Sequence, residues 1–163
     1  DGGTGGLILS SSQFIVKNAA QNENMIVGTE NGAVTLYYDN SAKLGTTSTG
    51  IAVNSTYDIA STNTATSATT QTAIHTLAAA TFRSARFTVQ VTNSTDSTYM
   101  VSEILLIHDG TTPSITEYGV IFTGAAREAA FTADISSGNI RLLATPASTD
   151  TMAFKVVAHS IVT

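Results

Sequence analysis

Between residues 7 and 59 apolar side chains come only as short alternating pairs and triplets, and this limits the fold more than any other feature. The runs are Leu7/Leu9, Phe14/Val16, Met25/Val27, Val34/Leu36/Tyr38, Ile51/Val53 and Tyr57/Ile59. Between them stand Asn18, Asn22, Asn24, Gly28, Asn31-Gly32, Asp39-Asn40-Ser41, Gly45 and Gly50. Period-two alternation broken by turn formers predicts short β-strands, and Asn31-Gly32 predicts a tight hairpin turn. Strands offering two or three apolar residues to one face bury too little surface to offset a backbone entropy cost of about 1–2 kcal/mol per residue. The segment needs partners, and copies of itself are the natural ones.

On either side the composition changes. Residues 1–6 (DGGTGG) read as a flexible entry. No signal-peptide pattern precedes them, and a start at Asp1 suggests a fragment, a processed product or part of a longer chain. Residues 60–73 carry no large apolar side chain and read as a Ser/Thr-rich linker or solvated bridge. From Ile74 onward a domain is expected, with a strand at 74–77 and another from Phe82. Further strands follow at 99–108, 115–123, 131–135, 140–145 and 152–161, joined by Asn-, Asp-, Gly- and Pro-rich turns. The continuous run Ile104-Leu105-Leu106-Ile107 suits a central strand covered on both faces. Strands at this spacing predict an antiparallel β-sandwich over 74–163. Its expected core is Phe87, Val89, Val91, Leu105, Ile107, Val120, Phe122, Leu142, Phe154 and Val156.

Composition removes several function classes. Charged residues are only 12% of the 163, and Ser and Thr, more than a quarter of the chain, solvate the surface instead. A net charge of −5 with seven Lys+Arg offers no basic patch for nucleic acid. The apolar stretches fall far short of the ~20 residues a membrane helix needs, so no membrane insertion is expected. Absence of Cys excludes disulfides, thiolate metal sites and Cys nucleophiles. A mean hydropathy of +0.16 argues against disorder throughout.

The chemical motifs are sparse. His75, His108 and His159 are far apart in sequence, and only Asp109 offers a neighbouring ligand, so structural roles are favoured over metal binding, an axial ring in an oligomer remaining open. Among Glu103, Glu117, Asp134 and Glu128, the pair Glu103/Glu117 falls on adjacent predicted strands and is the one to weigh for glycoside hydrolysis. Pairing with Arg83, Arg86 or Arg141 is the commoner use of such strand carboxylates. Gly2-Gly3-Thr4-Gly5-Gly6 lacks the Lys and helix of a phosphate loop, and no Gly-x-Ser-x-Gly elbow occurs. With no Trp, and Phe and Tyr mostly inside strands, flat aromatic carbohydrate stacking is not indicated. The sequons at Asn54 and Asn93 are expected by chance in a chain this rich in Ser and Thr.

NGAVTLYYDNSAKLGTTSTGI (31–51) resembles a segment of the tail-fibre and related virion proteins of marine, cyanobacterial-type bacteriophages. FRSARFTVQV (82–91), SEILLIHDGT (102–111), ITEYGVIFTG (115–124) and ADISSGNIRLLATPAS (133–148) look like the domain that follows such shafts. The resemblance implies an all-β protein: a short-stranded, trimeric fibre shaft (7–59), then the linker and a jelly-roll-like knob. It implies a structural tail-fibre protein of the virion that mediates host attachment, without catalytic, cofactor or metal residues, hence not an enzyme. The implied partners are further copies in a homotrimer, other virion proteins, and a host surface glycan or outer-membrane protein. The alternatives are a head or neck fibre binding only virion proteins, and a carbohydrate-processing tailspike. Loops suited to host contact are those of Asn93, Ser94, Thr95 and Asp96, of Asp109, Thr111 and Thr112, of Arg127, and of Ser148 and Asp150.

Overall fold

From Phe14/Val16 onward the short alternating runs form strands, whereas Leu9 lies in none. The computed structural model describes residues 8–163; the flexible entry expected at 1–6, and Leu7, lie outside the described residues. Strands and turns account for the described fold, with no helix among these residues. The chain divides between Ser55 and Thr56 into two units.

In the first unit β1 (Gln13–Lys17), β2 (Asn24–Thr29), β3 (Val34–Tyr38), β4 (Ser41–Thr46) and β5 (Gly50–Val53) make an antiparallel meander. The Asn31-Gly32 turn joins β2 to β3, with Asn31 at φ +54° and the Gly32 N–H on the Thr29 carbonyl at 3.0 Å. Asp39 and Asn40, both at positive φ, form the two-residue turn into β4. Register places Val16 opposite Ile26, Ile26 opposite Leu36, Leu36 opposite Leu44, and Leu44 opposite Val53. Directly opposed residues share a face, so one apolar row crosses all five strands. Among the described residues of this unit none is buried.

The second unit has two antiparallel sheets. The larger takes β6 (Tyr57–Thr66), β13 (Met152–Val162), β8 (Phe82–Asn93), β9 (Thr98–His108) and β10 (Pro113–Phe122) in that order; the smaller takes β11 (Ala129–Ser136), β12 (Asn139–Pro146) and β7 (Thr72–Ala78). Alternation sends Phe87, Val89 and Val91 of β8, Met100, Ile104 and Leu106 of β9, and Met152, Phe154 and Val156 of β13 to one face. There they share a single core with Ile74 and Leu77 of β7, Phe131 of β11, and Ile140 and Leu142 of β12.

Three expectations are corrected. The stretch 60–73 is not wholly a linker, because its first part is β6, paired with β13 from Tyr57↔Ile161 to Thr66↔Met152. Threonine suits a pleated, half-buried surface, and Thr62, Thr64 and Thr66 alternate inward with Ala60. Leu105 and Ile107 are 46% and 55% exposed, and Phe122 is 40% exposed. In the run 104–107 the even-numbered residues are the buried ones, so a one-residue error of register exchanged the faces. In β10 a bulge between Tyr118 and Ile121, with Gly119 at φ +62°, sets Phe122 opposite Met100, but as the last residue of an edge strand Phe122 stays partly uncovered.

His75 lies inside this core because β7 bulges there: Leu142 opposes His75 and Leu143 opposes Ala73, leaving Ile74 as the extra residue. The Thr62 hydroxyl donates to the Ile74 carbonyl at 2.7 Å, so its oxygen receives the His75 Nδ1–H at 3.2 Å. Nε2 is then unprotonated and without a partner, and the ring meets Phe87 edge-on.

Phe154→Ala should cost about 3–5 kcal/mol by chemical denaturation, and Phe122→Ala clearly less. Burial pushes the His75 imidazole down to about 4 from 6.5. The unfolded chain therefore takes up the proton first, and the stability His75 contributes is complete above pH 6.5 and declines as the pH falls towards 4. The loss should be of order 3 kcal/mol. His75→Asn, which keeps a donor for Thr62, should remove that part of the pH dependence in parallel denaturation curves.

Candidate functional site

Strand direction gathers four loops at one end of the second unit: residues 67–71, 94–97, 123–128 and 147–151. Asn93, the last residue of β8, ties the last three together. It is 2% exposed, and its Nδ2 donates to Glu128 Oε2 at 3.1 Å and to Asp150 Oδ2 at 3.0 Å. Its Oδ1 accepts the backbone N–H groups of Thr95 and Asp96 at 3.0 and 3.2 Å. Every polar atom of the amide side chain is thus used in shaping the loops.

The neighbouring groups extend this network. Buried Glu128 also accepts the Thr98 hydroxyl at 2.6 Å, and its carbonyl accepts the Ala147 N–H at 2.8 Å. The Ser148 hydroxyl donates to Asp150 Oδ2 at 2.6 Å, and this bond, with the Asn93 amide second, lowers the Asp150 pKa. Ser94 N and Oγ both donate to the Thr151 carbonyl at 3.0 Å, and Thr95 Oγ1 accepts the Thr151 N–H at 3.2 Å. A side chain at Gly124 would press on Glu128 Oε1 at 3.2 Å and Thr98 at 3.3 Å, so the third loop lies close against the network. Solvent is left with the exposed tips Ser94, Thr95, Asp96 and Thr149, fixed in place from below.

The sequence-predicted contact residues therefore separate into two groups. Asn93, Ser94, Thr95, Asp96, Ser148 and Asp150 come together, with Arg127 on the adjoining loop. Asp109, Thr111 and Thr112 lie at the other end, in the β9–β10 turn. There Asp109 Oδ1 accepts the Thr111 and Thr112 N–H groups and the Thr111 hydroxyl, each at 2.8 Å, which brings its pKa down to about 2. Asn93 and Asp109 thus each organise one of these loops.

The carboxylate pair weighed for catalysis is taken apart by the pleat. Glu103 opposes Tyr118 whereas Glu117 opposes Ile104, so the two carboxylates are on opposite faces of the sheet. Glu117 accepts the Ser102 hydroxyl at 2.6 Å and is ion-paired to Arg127 at 2.6 Å. Asp134 pairs across strands with Arg141, whose hydrogen bond lowers its pKa. The histidines are equally dispersed. His75 is in the core; His108 receives the Gly110 N–H on Nδ1 at 3.0 Å and gives its Nε2–H to the Phe82 carbonyl at 2.7 Å; His159 bonds Tyr57 on the larger sheet's outer face. Among the described residues no group of three or more His, Asp or Glu is placed to hold a metal ion.

Sequence reasoning missed the Glu128–Asp150 convergence, because pairing through a shared Asn needs the relative position of three loops. It also missed the grooves on the larger sheet's outer face, each of about 390 Å³, one lined by Tyr57, Arg86, Leu105, His159 and Ile161 and the next by Leu105, Ile107 and Thr116.

No protein-family model matches the chain, and no curated protein matches it. Among the solved structures similar to it are three tailspike proteins of Acinetobacter phages. The Acinetobacter phage vB_ApiP_P1 tailspike is 17% identical with a TM-score of 0.38, over 65% of this chain and 22% of that one. The A. baumannii phage AM24 tailspike is 9% identical with a TM-score of 0.39, over 66% and 26%. The tailspike gp49 of A. baumannii bacteriophage Fri1, a capsular polysaccharide depolymerase, is 13% identical with a TM-score of 0.38, over 94% and 20%. The chain thus spans about a quarter or less of the length of these proteins.

The expectation that this chain is not an enzyme is corrected by the last of these. The resembling segments imply no catalytic residues, but gp49 is an enzyme, and a resemblance of architecture does not decide activity. Likenesses this low carry no substrate or assembly over to this chain.

Asn93→Ala would leave the buried Glu128 carboxylate without one of its donors and release two loop N–H groups. A cost of about 3 kcal/mol is expected, at the upper end for lost bonds to buried charged groups. Faster amide hydrogen exchange confined to residues 93–97 and 147–151 would accompany it.

Proposed function

We propose that this chain is part of a bacteriophage tail fibre or tailspike, exposed on the virion and assembled as a homotrimer. The first unit is the fibre-shaft element of the marine, cyanobacterial-type resemblance. The second is a β-sandwich knob whose Asn93-anchored loops face the host surface, a glycan or an outer-membrane protein. One observation carries the reading: the row Val16–Ile26–Leu36–Leu44–Val53 crosses a five-stranded sheet in which no described residue is buried. Such a sheet is half of a structure, and closed symmetry completes it by setting the same row of several copies around one axis. Polar, aromatic-poor loop tips bind weakly one at a time, so attachment would depend on several copies engaging together.

A second reading, a carbohydrate-processing tailspike, is favoured by Glu128 and Asp150, two carboxylates held by one amide nitrogen. In that reading Asp150→Asn should abolish release of reducing ends from host capsular polysaccharide, while host-cell binding persists. Release unchanged by Asp150→Asn would remove this pair from consideration.

Light scattering on the intact chain should give three times 16.9 kDa. Leu36→Asp, at the middle of the row, should raise the concentration at which the assembly dissociates and leave the second unit's thermal transition in place. A monomeric wild-type chain would overturn the proposal.

A further inference from the structure

In β9 both faces are apolar. Ile104 and Leu106 lie in the core, while Leu105 and Ile107 face outward and are exposed. A strand apolar on both faces belongs in a sheet covered on both sides, and the three-stranded sheet supplies only one cover. The same outer face carries Tyr99 of β9 as well, Tyr118 and Ile121 on β10, and Val157 and Ile161 on β13, all exposed.

We infer that this outer face of the β6-β13-β8-β9-β10 sheet is an interface between copies of this chain, an inference that rests on the homo-oligomer reading above. Its size fits. Strands of 10–12 residues in five rows make a face of about 35 by 24 Å, or roughly 800 Å², one partner's share of a standard stable interface. Its composition fits as well. The charged residues in the outward rows are Arg86, Glu103 and Lys155, and Glu103 is already engaged by the Tyr118 hydroxyl. Charge depletion with enriched Tyr is the mark of an interface centre.

The relief of the face selects a second copy as the occupant. The projecting Leu105, Ile107 and Ile161 stand beside the two grooves of about 390 Å³ that they help to line. One surface therefore offers both knobs and holes, so around a three-fold axis the knobs of one copy can enter the grooves of the next.

The chain contains no Cys, so single cysteines can report on this face in the intact protein. Ile107→Cys and Val157→Cys should react with a maleimide several-fold more slowly than Thr149→Cys on an exposed loop tip, and should match it once dilution separates the copies. Leu105→Arg should raise the dissociation midpoint about tenfold or more, as for an interface hot spot. If native mass spectrometry shows an oligomer but both cysteines label as fast as Thr149→Cys, the copies meet elsewhere, and this inference falls while the oligomeric reading stands. A monomer in native mass spectrometry removes both, and slow labelling in a monomer would assign the cover to the chain itself.

Discussion

The second unit depends on β13. Its inner row, Met152, Phe154, Val156 and Ala158, is among the most deeply buried in the protein. The strand pairs along nearly its whole length with β6 on one side and β8 on the other. β6 and β8 are joined through this strand, which lies well downstream of both. Such pairings join segments far apart in sequence, and their loop-closure entropy makes folding of this kind slow.

Around that core short Asn and Asp side chains stabilise loops by accepting backbone N–H groups. Asn93 and Asp109 accept consecutive backbone N–H groups, as Asn18 does from Asn22 and Glu23 in the first unit. Short polar side chains can substitute for the strand ladder where the backbone turns. This fits a surface with few charges, and it couples loop shape to particular residues.

Local chemistry was legible in the sequence. Alternation located most of the strands but neither β4 nor the Thr-rich part of β6. The Asn31-Gly32 turn and the turn between 131–135 and 140–145 fell where expected, and β7 and β8 were correctly separated near Phe82. What failed was information that no single strand carries. The run Ile104-Leu105-Leu106-Ile107 is equally apolar in either register, so only its pairing with Phe87 and Glu117 decides which face is inside. The Gly119 bulge, which shifts the β10 pairing ahead of Phe122, leaves a glycine as its one local sign. The same pleat that exchanged these faces also parted Glu103 from Glu117, whereas the Glu128–Asp150 meeting came from loops the sequence could mark but not place.

The bulge at Gly119 has a further effect. β10 ends its sheet, and a long regular edge would present backbone donors and acceptors to any passing strand. The break between Tyr118 and Ile121 interrupts that series part-way along. An incoming strand could keep register over only part of β10, so runaway edge-to-edge growth is discouraged where many copies are crowded together.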